Sequence, residues 1–163
     1  MYSLPSPFHL RDIDAASDGD QDFVRALYRC SRGDLLHMQA EPDFIEQLIA
    51  MQQRTHELGY RQSYPQARQL LIERDGAPIG RLIVNPGAQA LRVVDITLLP
   101  QAQGQGAGSA VLAGLQAHAA AQQWTLHLGV NHANLAARRL YARLGFVAES
   151  EDPIQQQLRW SAA

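Results

Sequence analysis

Three glycines, Gly104, Gly106 and Gly108, stand in the stretch QAQGQGAGSAVL between an apolar run and a helix-forming segment. The first N–H groups of a helix are unpaired and carry the positive end of its dipole, so glycines placed there open a nest of donors to an anion. A pyrophosphate suits such a nest. A bare strand-to-helix turn accounts for one glycine and leaves two without a use. The dinucleotide fingerprint GxGxxG fails, because Ser109 holds its last position and no acidic residue follows a second parallel strand. The P-loop fails too, since all 14 basic residues are arginine and no lysine is present to reach a phosphate or form a Schiff base.

The surrounding periodicities predict the elements that position this turn. The apolar piece from Phe8 to Ile13 reads as a strand, with Ser17, Asp18 and Asp20 as candidate helix caps after it. Phe23, Val24, Leu27 and Tyr28 recur at helical spacing, and a second helix opens at Pro42 with Phe44, Ile45, Leu48, Ile49 and Met51. From Arg68 the period changes to two: QLLIERDGAPIGRLIV is a hairpin turning near Asp75 and Gly76, and LRVVDITLL is the next strand, ended by Pro100. The glycine turn then leads into a helix reaching about Gln123. WTLHLGV is a strand with Leu126, Leu128 and Val130 on one face, NLAARRLYARLG a helix closed by Gly145, and FVAES and IQQQLRW the last strands. Asn131 is the expected cap of that final helix. The order predicts one α/β (α+β) domain over residues 1–163, with a mixed, largely antiparallel sheet.

Composition narrows the chemistry. A formal charge of -2 and a pI near 6.3 supply no basic field, so no nucleic-acid partner is expected. Cys30 is the single cysteine and the six histidines lack ligand spacing, which argues against a disulfide framework and against a metal site. No apolar run reaches membrane-spanning length, and MYSLPSPFHLRDID has neither the charged nor the apolar part of a signal peptide. A soluble, cytoplasmic protein with no membrane partner is the expectation.

From Val94 to Phe146 the sequence resembles the GNAT superfamily of N-acetyltransferases. Its signature, Q/R-x-x-G-x-G/A at the start of the central helix, stands here as Gln103-Gly104-Gln105-Gly106-Ala107-Gly108, and its second element, V-x-x-x-N-x-x-A-x-x-L-Y-x-x-x-G-F, is matched by Val130, Asn134, Ala137, Leu140, Tyr141, Gly145 and Phe146. The resemblance implies helices on both faces of the sheet and acetyl-CoA in a cleft where the strands Arg92 to Leu99 and Trp124 to Val130 splay apart. Main chain around Leu98 would bond the pantetheine arm, and N–H groups of Gln103, Gly104, Gln105, Gly106, Ala107, Gly108 and Ser109 would hold the pyrophosphate. Asn134 would reach the cofactor from the following helix. Glutamine at 103, where arginine is the alternative, removes one charge from that site and leaves more to the main chain.

Acetyl transfer to an amine needs a neutral nucleophile, a polarised carbonyl and a proton for the departing thiolate. An amine of pKa about 10.4 is neutral roughly one part in a thousand near pH 7, a deficit of about 4 to 5 kcal/mol. Asp95, sharing a strand face with Thr97 and Leu99, is the candidate base or amine anchor. N–H groups near Leu98 are placed to polarise the carbonyl, and Tyr141 of the second motif is the candidate acid for the thiolate. His127 alternates with Leu126 and Leu128 and reads as a sheet-surface residue. Tyr60, Tyr64, Arg81 and Trp124 are candidates for an acceptor pocket, whose guest is a small-molecule or peptide amine left unnamed by the sequence. A homodimer is common among the proteins this chain resembles. Two other classes fit the same residues: an acyl-CoA-binding regulatory module without turnover, and an interaction domain without ligand.

Overall fold

The computed structural model describes residues 2–162. Its elements are β1 (Phe8–Asp12), α1 (Asp18–Ser31), the short α2 (Gly33–Leu36), α3 (Pro42–Ser63), β2 (Arg68–Arg74), β3 (Ala77–Gly87), β4 (Ala90–Leu98), α4 (Ala107–Gln122), β5 (Thr125–Asn131), α5 (Leu135–Arg143), β6 (Val147–Glu151) and β7 (Gln155–Trp160). A 3-10 turn, Pro100–Ala102, joins β4 to the glycines. This turn and α2 were not foreseen, because three or four residues are too few to carry a period.

The strands form one sheet in the order β1-β2-β3-β4-β5-β7-β6, antiparallel throughout except for the parallel pair β4 and β5. Leucine, isoleucine and valine at alternate positions send one set of side chains to each face. Leu70, Leu82, Val84, Leu91 and Leu128 meet Val111, Leu112 and Leu115 of α4 in the main core, with Tyr141 of α5 at its edge. On the opposite face Tyr28 of α1 and Ile45 and Ile49 of α3 form a smaller core with Leu35. The sheet therefore lies between α4 and α5 on one side and α1 and α3 on the other.

Strict alternation along β4 would put Asp95 on the same face as Leu91 and Val93. It does not, because the register with β3 slips: Ile83 faces Asp95, while its neighbour Val84 faces Val93, leaving Val94 as the extra residue of a bulge. Beyond it Ile96 and Leu98 pack with the main core, and Asp95 and Thr97 turn to the α1 and α3 side. The β4–β5 ladder ends at the same point. It pairs Ala90 to Val93 with Thr125 to Leu128, after which β4 runs on to Leu98 and β5 to Asn131 without bonding one another.

Two polar devices fix helix starts, the first of them beside this gap. Asn134 caps α5, its side chain accepting from Ala137 N at 3.2 Å, whereas Asn131, the expected cap, accepts from Ala133 N at 2.8 Å inside the preceding turn. The difference follows from α5 beginning at Leu135, which makes Asn134 the cap position and puts Asn131 three residues too early. At the start of α1, Asp20 accepts from Nη1 and Nη2 of Arg11 at 2.9 Å each and from Asp14 N at 2.9 Å, which ties the helix to β1. Arg11 first, then the Asp14 amide, holds the Asp20 carboxyl down at about 2. A carboxylate with a depressed pKa stabilises the fold above the ordinary carboxyl range, and that contribution fades as pH falls through about 2. Asp20→Asn should cost about 1 to 2 kcal/mol at pH 7, the half-exposed arginine limiting the effect, and its urea midpoint should approach that of the wild type near pH 2.

Candidate active site

The opened strand edge is the first component. Leu99 N donates to Ile79 O at 2.8 Å, so the alternation of an antiparallel ladder turns the N–H and C=O groups of Ile96 and Leu98 away from β3 and into the gap. Gln103 Nε2 donates to Leu98 O at 3.3 Å and so anchors the glycine turn to the end of this edge.

The turn itself uses two of its glycines for backbone shape. Gly104 has φ 73° and Gly106 φ 87°, left-handed values that side chains resist, and α4 begins immediately afterwards. The expectation that a turn needs one glycine is thereby corrected. Gly108 lies in ordinary helix, and a Cβ on it would sit 3.5 Å from Leu140 Cδ2, so it serves neither strain nor close packing. What its bareness does is leave open a cavity of about 340 Å³, lined among others by Leu98, Gly104, Gly106, Ser109 and Arg143. Gln103 N is engaged with Pro100 O at 3.3 Å, so the donors available to this cavity begin at Gly104 and run through the open first turn of α4, Ala107, Gly108 and Ser109. Gln105 is held by Arg74 at 3.0 Å and by Gln101 O at 3.0 Å. No carboxylate lines the cavity, and Arg143 adds a full positive charge, so its donor set fits an anion. Arg143 was missed in the sequence. Only the packing of α5 against α4 brings it there, although its place in the last helical turn, two residues after Tyr141, was visible.

Inside the gap a smaller space of about 170 Å³ lies between β4 and β5, bordered by Asp95, Ile96, Gly129, Asn131, Asn134 and Tyr141. Asp95 also borders a third cavity, about 430 Å³, on the other side of the sheet, with Tyr28, Arg32, His56, Tyr60 and Arg81. The one carboxylate thus faces both. Its Oδ2 accepts from Thr97 Oγ1 at 2.9 Å. Burial raises its pKa, opposed by the Thr97 hydrogen bond and by the charges of Arg81 and His56. Tyr141 is 7% exposed, and burial, then the nearby Asp95 charge, pushes its phenol up as well.

The acceptor-side candidates divide. Tyr60 and Arg81 line the large cavity, Tyr64 borders a separate one beside Tyr60, and Trp124 packs against His118, ring centroids 5.8 Å apart, away from all of them. His127 faces away from Leu126 and Leu128, with Nε2 2.8 Å from Thr125 Oγ1 and Nδ1 3.4 Å from Glu149, and borders none of the three cavities. His56 is the residue overlooked: its Nε2 lies 2.6 Å from Tyr60 Oη inside the large cavity. The signal was its spacing, since Ile45, Ile49, His56 and Tyr60 follow one face of α3. Among the described residues no helix is long and apolar enough to cross a membrane, and no three His, Cys, Asp or Glu side chains converge as metal ligands.

Comparison with known proteins gives a family and a fold. A family model described as the acetyltransferase (GNAT) family matches residues 24–146. The fold is shared with a PaiA N-acetyltransferase from Thermoplasma acidophilum in complex with coenzyme A, at TM-score 0.67 and 18% identity over 95% of this chain and 99% of that one. It is shared also with RimL, a ribosomal alpha-N-protein acetyltransferase in complex with coenzyme A, at TM-score 0.66 and 17% identity over 98% and 97%. A third likeness is the N-acetyltransferase PseH of Campylobacter jejuni, at TM-score 0.65 and 12% identity over 96% and 99%. No curated protein matches in sequence.

Proposed function

The chain belongs to the GNAT acetyltransferase family, and from that premise we propose that residues 1–163, as one domain, transfer an acetyl group from acetyl-CoA to a primary amine by direct attack in a ternary complex. One observation carries the reading: Asp95 borders both the strand gap and the large cavity behind it, so groups seated on opposite sides of the sheet meet at one carboxylate. Acetyl-CoA would supply the acetyl group as an activated thioester, with the coenzyme A thiolate as the leaving group. The pyrophosphate is held by N–H groups from Gly104 to Ser109, by the dipole of α4 and by Arg143. The outward N–H and C=O groups of Ile96 and Leu98 receive the pantetheine amides as an added strand would, and Leu98 N–H is the donor placed to polarise the carbonyl. Gln103 steadies Leu98 by donating to its carbonyl oxygen, whose second lone pair stays open to the arm, and Asn134 borders the arm while capping α5. Asp95, with its affinity for protons increased by burial, takes the amine's proton, directly or through water. Tyr141 returns a proton to the thiolate.

Incubation with acetyl-CoA and a panel of amines, reading released thiol against a blank for the exposed Cys30, tests the transfer. A binding module would be stabilised thermally by coenzyme A and release nothing, and an interaction domain would show neither response. The seat of the pyrophosphate is tested separately. Gly108→Glu should keep the fold, because the backbone there is ordinary helix and a Cβ has room, yet its charge and bulk enter the cavity. Stabilisation by coenzyme A should disappear. Wild-type affinity in a titration would place the phosphates elsewhere.

A further inference from the structure

Arg81 is 5% exposed, and among the described residues only one of its N–H groups has a partner. Nη1 donates to Glu57 Oε1 at 2.7 Å, Nε is buried with no acceptor, and Nη2 makes no bond. The free edge of the guanidinium therefore carries two parallel donors, the spacing that a carboxylate matches with its two oxygens. A buried charged donor without an acceptor is unfavourable, and an arriving anion relieves it. Among the described residues no neighbour does so: Asp95 accepts from Thr97 through Oδ2 and makes no hydrogen bond to Arg81, the Tyr60 hydroxyl lies against His56, and Arg32 is itself a donor, bonded to Asp34, Tyr28 and Gln52. Across the same cavity Val24, Leu27 and the rings of Tyr28 and Tyr60 offer apolar wall, and about 430 Å³ holds a molecule of amino-acid size.

We infer that the amine acceptor also carries a carboxylate, seated on the Nε and Nη2 edge of Arg81, with its amino group toward Asp95 and an apolar or aromatic body against Leu27 and Tyr28. This rests on the acetyl-transfer reading for the chemistry but on Arg81 alone for the class of acceptor. A polycation is disfavoured by the same residues. Its second ammonium would lie against Arg81 and Arg32, whose counter-charges Glu57 and Asp34 are already spoken for.

The test compares amino acids bearing apolar side chains with their decarboxylated amines, in matched pairs, and the N-acetylated form of each. Calorimetry on protein saturated with coenzyme A should show the carboxylate-bearing acetyl products binding about tenfold or more tightly than their partners, and kcat/KM for the free amines should favour the carboxylate by a similar factor, through KM. The double variant Arg81→Gln with Glu57→Gln, which leaves neither charge alone in the interior, should erase both preferences. Equal binding within pairs, a preference that survives in the folded double variant, or better turnover of a polyamine would each overturn the inference. Carboxylate-selective binding without acetylation of any amine would sustain the subsite and overturn the transfer reading. Acetylation of both members of every pair at equal efficiency would do the reverse.

Discussion

Tyr141→Phe is expected to lower turnover about a hundredfold or more at saturating acetyl-CoA, while coenzyme A still binds within a few fold of wild type. The substitution removes one oxygen and keeps the ring, which is 7% exposed and packs on Phe146 with centroids 5.8 Å apart. A phenol of ordinary pKa about 10 is a mildly uphill donor to a thiolate of about 8.5, and burial together with the Asp95 charge makes this phenol a weaker acid still. Transfer then depends on a short hydrogen bond to sulfur in a dry gap, which phenylalanine cannot make. If Tyr141 were packing alone, the variant would turn over normally and be at least as stable, since its hydroxyl makes no hydrogen bond to the described residues that the change would break. Single-turnover traces and thermal melts on the two proteins decide between these outcomes.

The second large effect belongs to Asp95. Asp95→Asn should lose most activity near pH 7 and regain part of it as rising pH deprotonates the amine without help. Stability should move the other way. Burial raises the Asp95 pKa, so the folded state binds this proton more tightly than the unfolded chain does, and the ionised carboxylate is a net cost once pH exceeds the folded value. The asparagine variant should therefore unfold at higher urea than wild type at pH 7.5, and the difference should vanish below the ordinary carboxyl range near pH 4, where both side chains are neutral. An activity loss independent of pH would assign Asp95 to binding or structure.

Much of this was legible because it is local. The alternation in LRVVDITLL, the cap at Ser17, Pro42 at the start of a long helix and the glycine turn are each written within a few residues, and the structure places an element at every one. The strand gap was expected from the resemblance rather than from the pattern. Its geometric cause, the bulge at Val94, is invisible to a period of two, which a valine satisfies on either face. Arg143 was hidden for a different reason, and so was the partner of Arg81, itself a candidate for the acceptor pocket. Each gains its meaning from another element, as when Glu57 of α3 meets Arg81 of β3, and such meetings are set by packing across the sheet. His56 was legible only as a position on the Ile45, Ile49 and Tyr60 face of α3, four residues from its partner Tyr60. The assignment of the cap to Asn131 erred by a single turn, the range within which helix ends are least marked in sequence.

The sheet also works as a partition of inheritance. Apart from the strand residues Arg81, Asp95 and Thr97, the wall of the large cavity is written before Ser63, in α1, in Arg32 just after it and in α3, whereas the anion-holding side is written from Leu98 onward, in the glycine turn, α4 and α5. Changes in one stretch of the gene thus reshape one side of the sheet and leave the other as it was. A lineage can recut what the first stretch admits while keeping the donor's seat untouched, and Asp95, bordering both, is the position at which the two histories must agree.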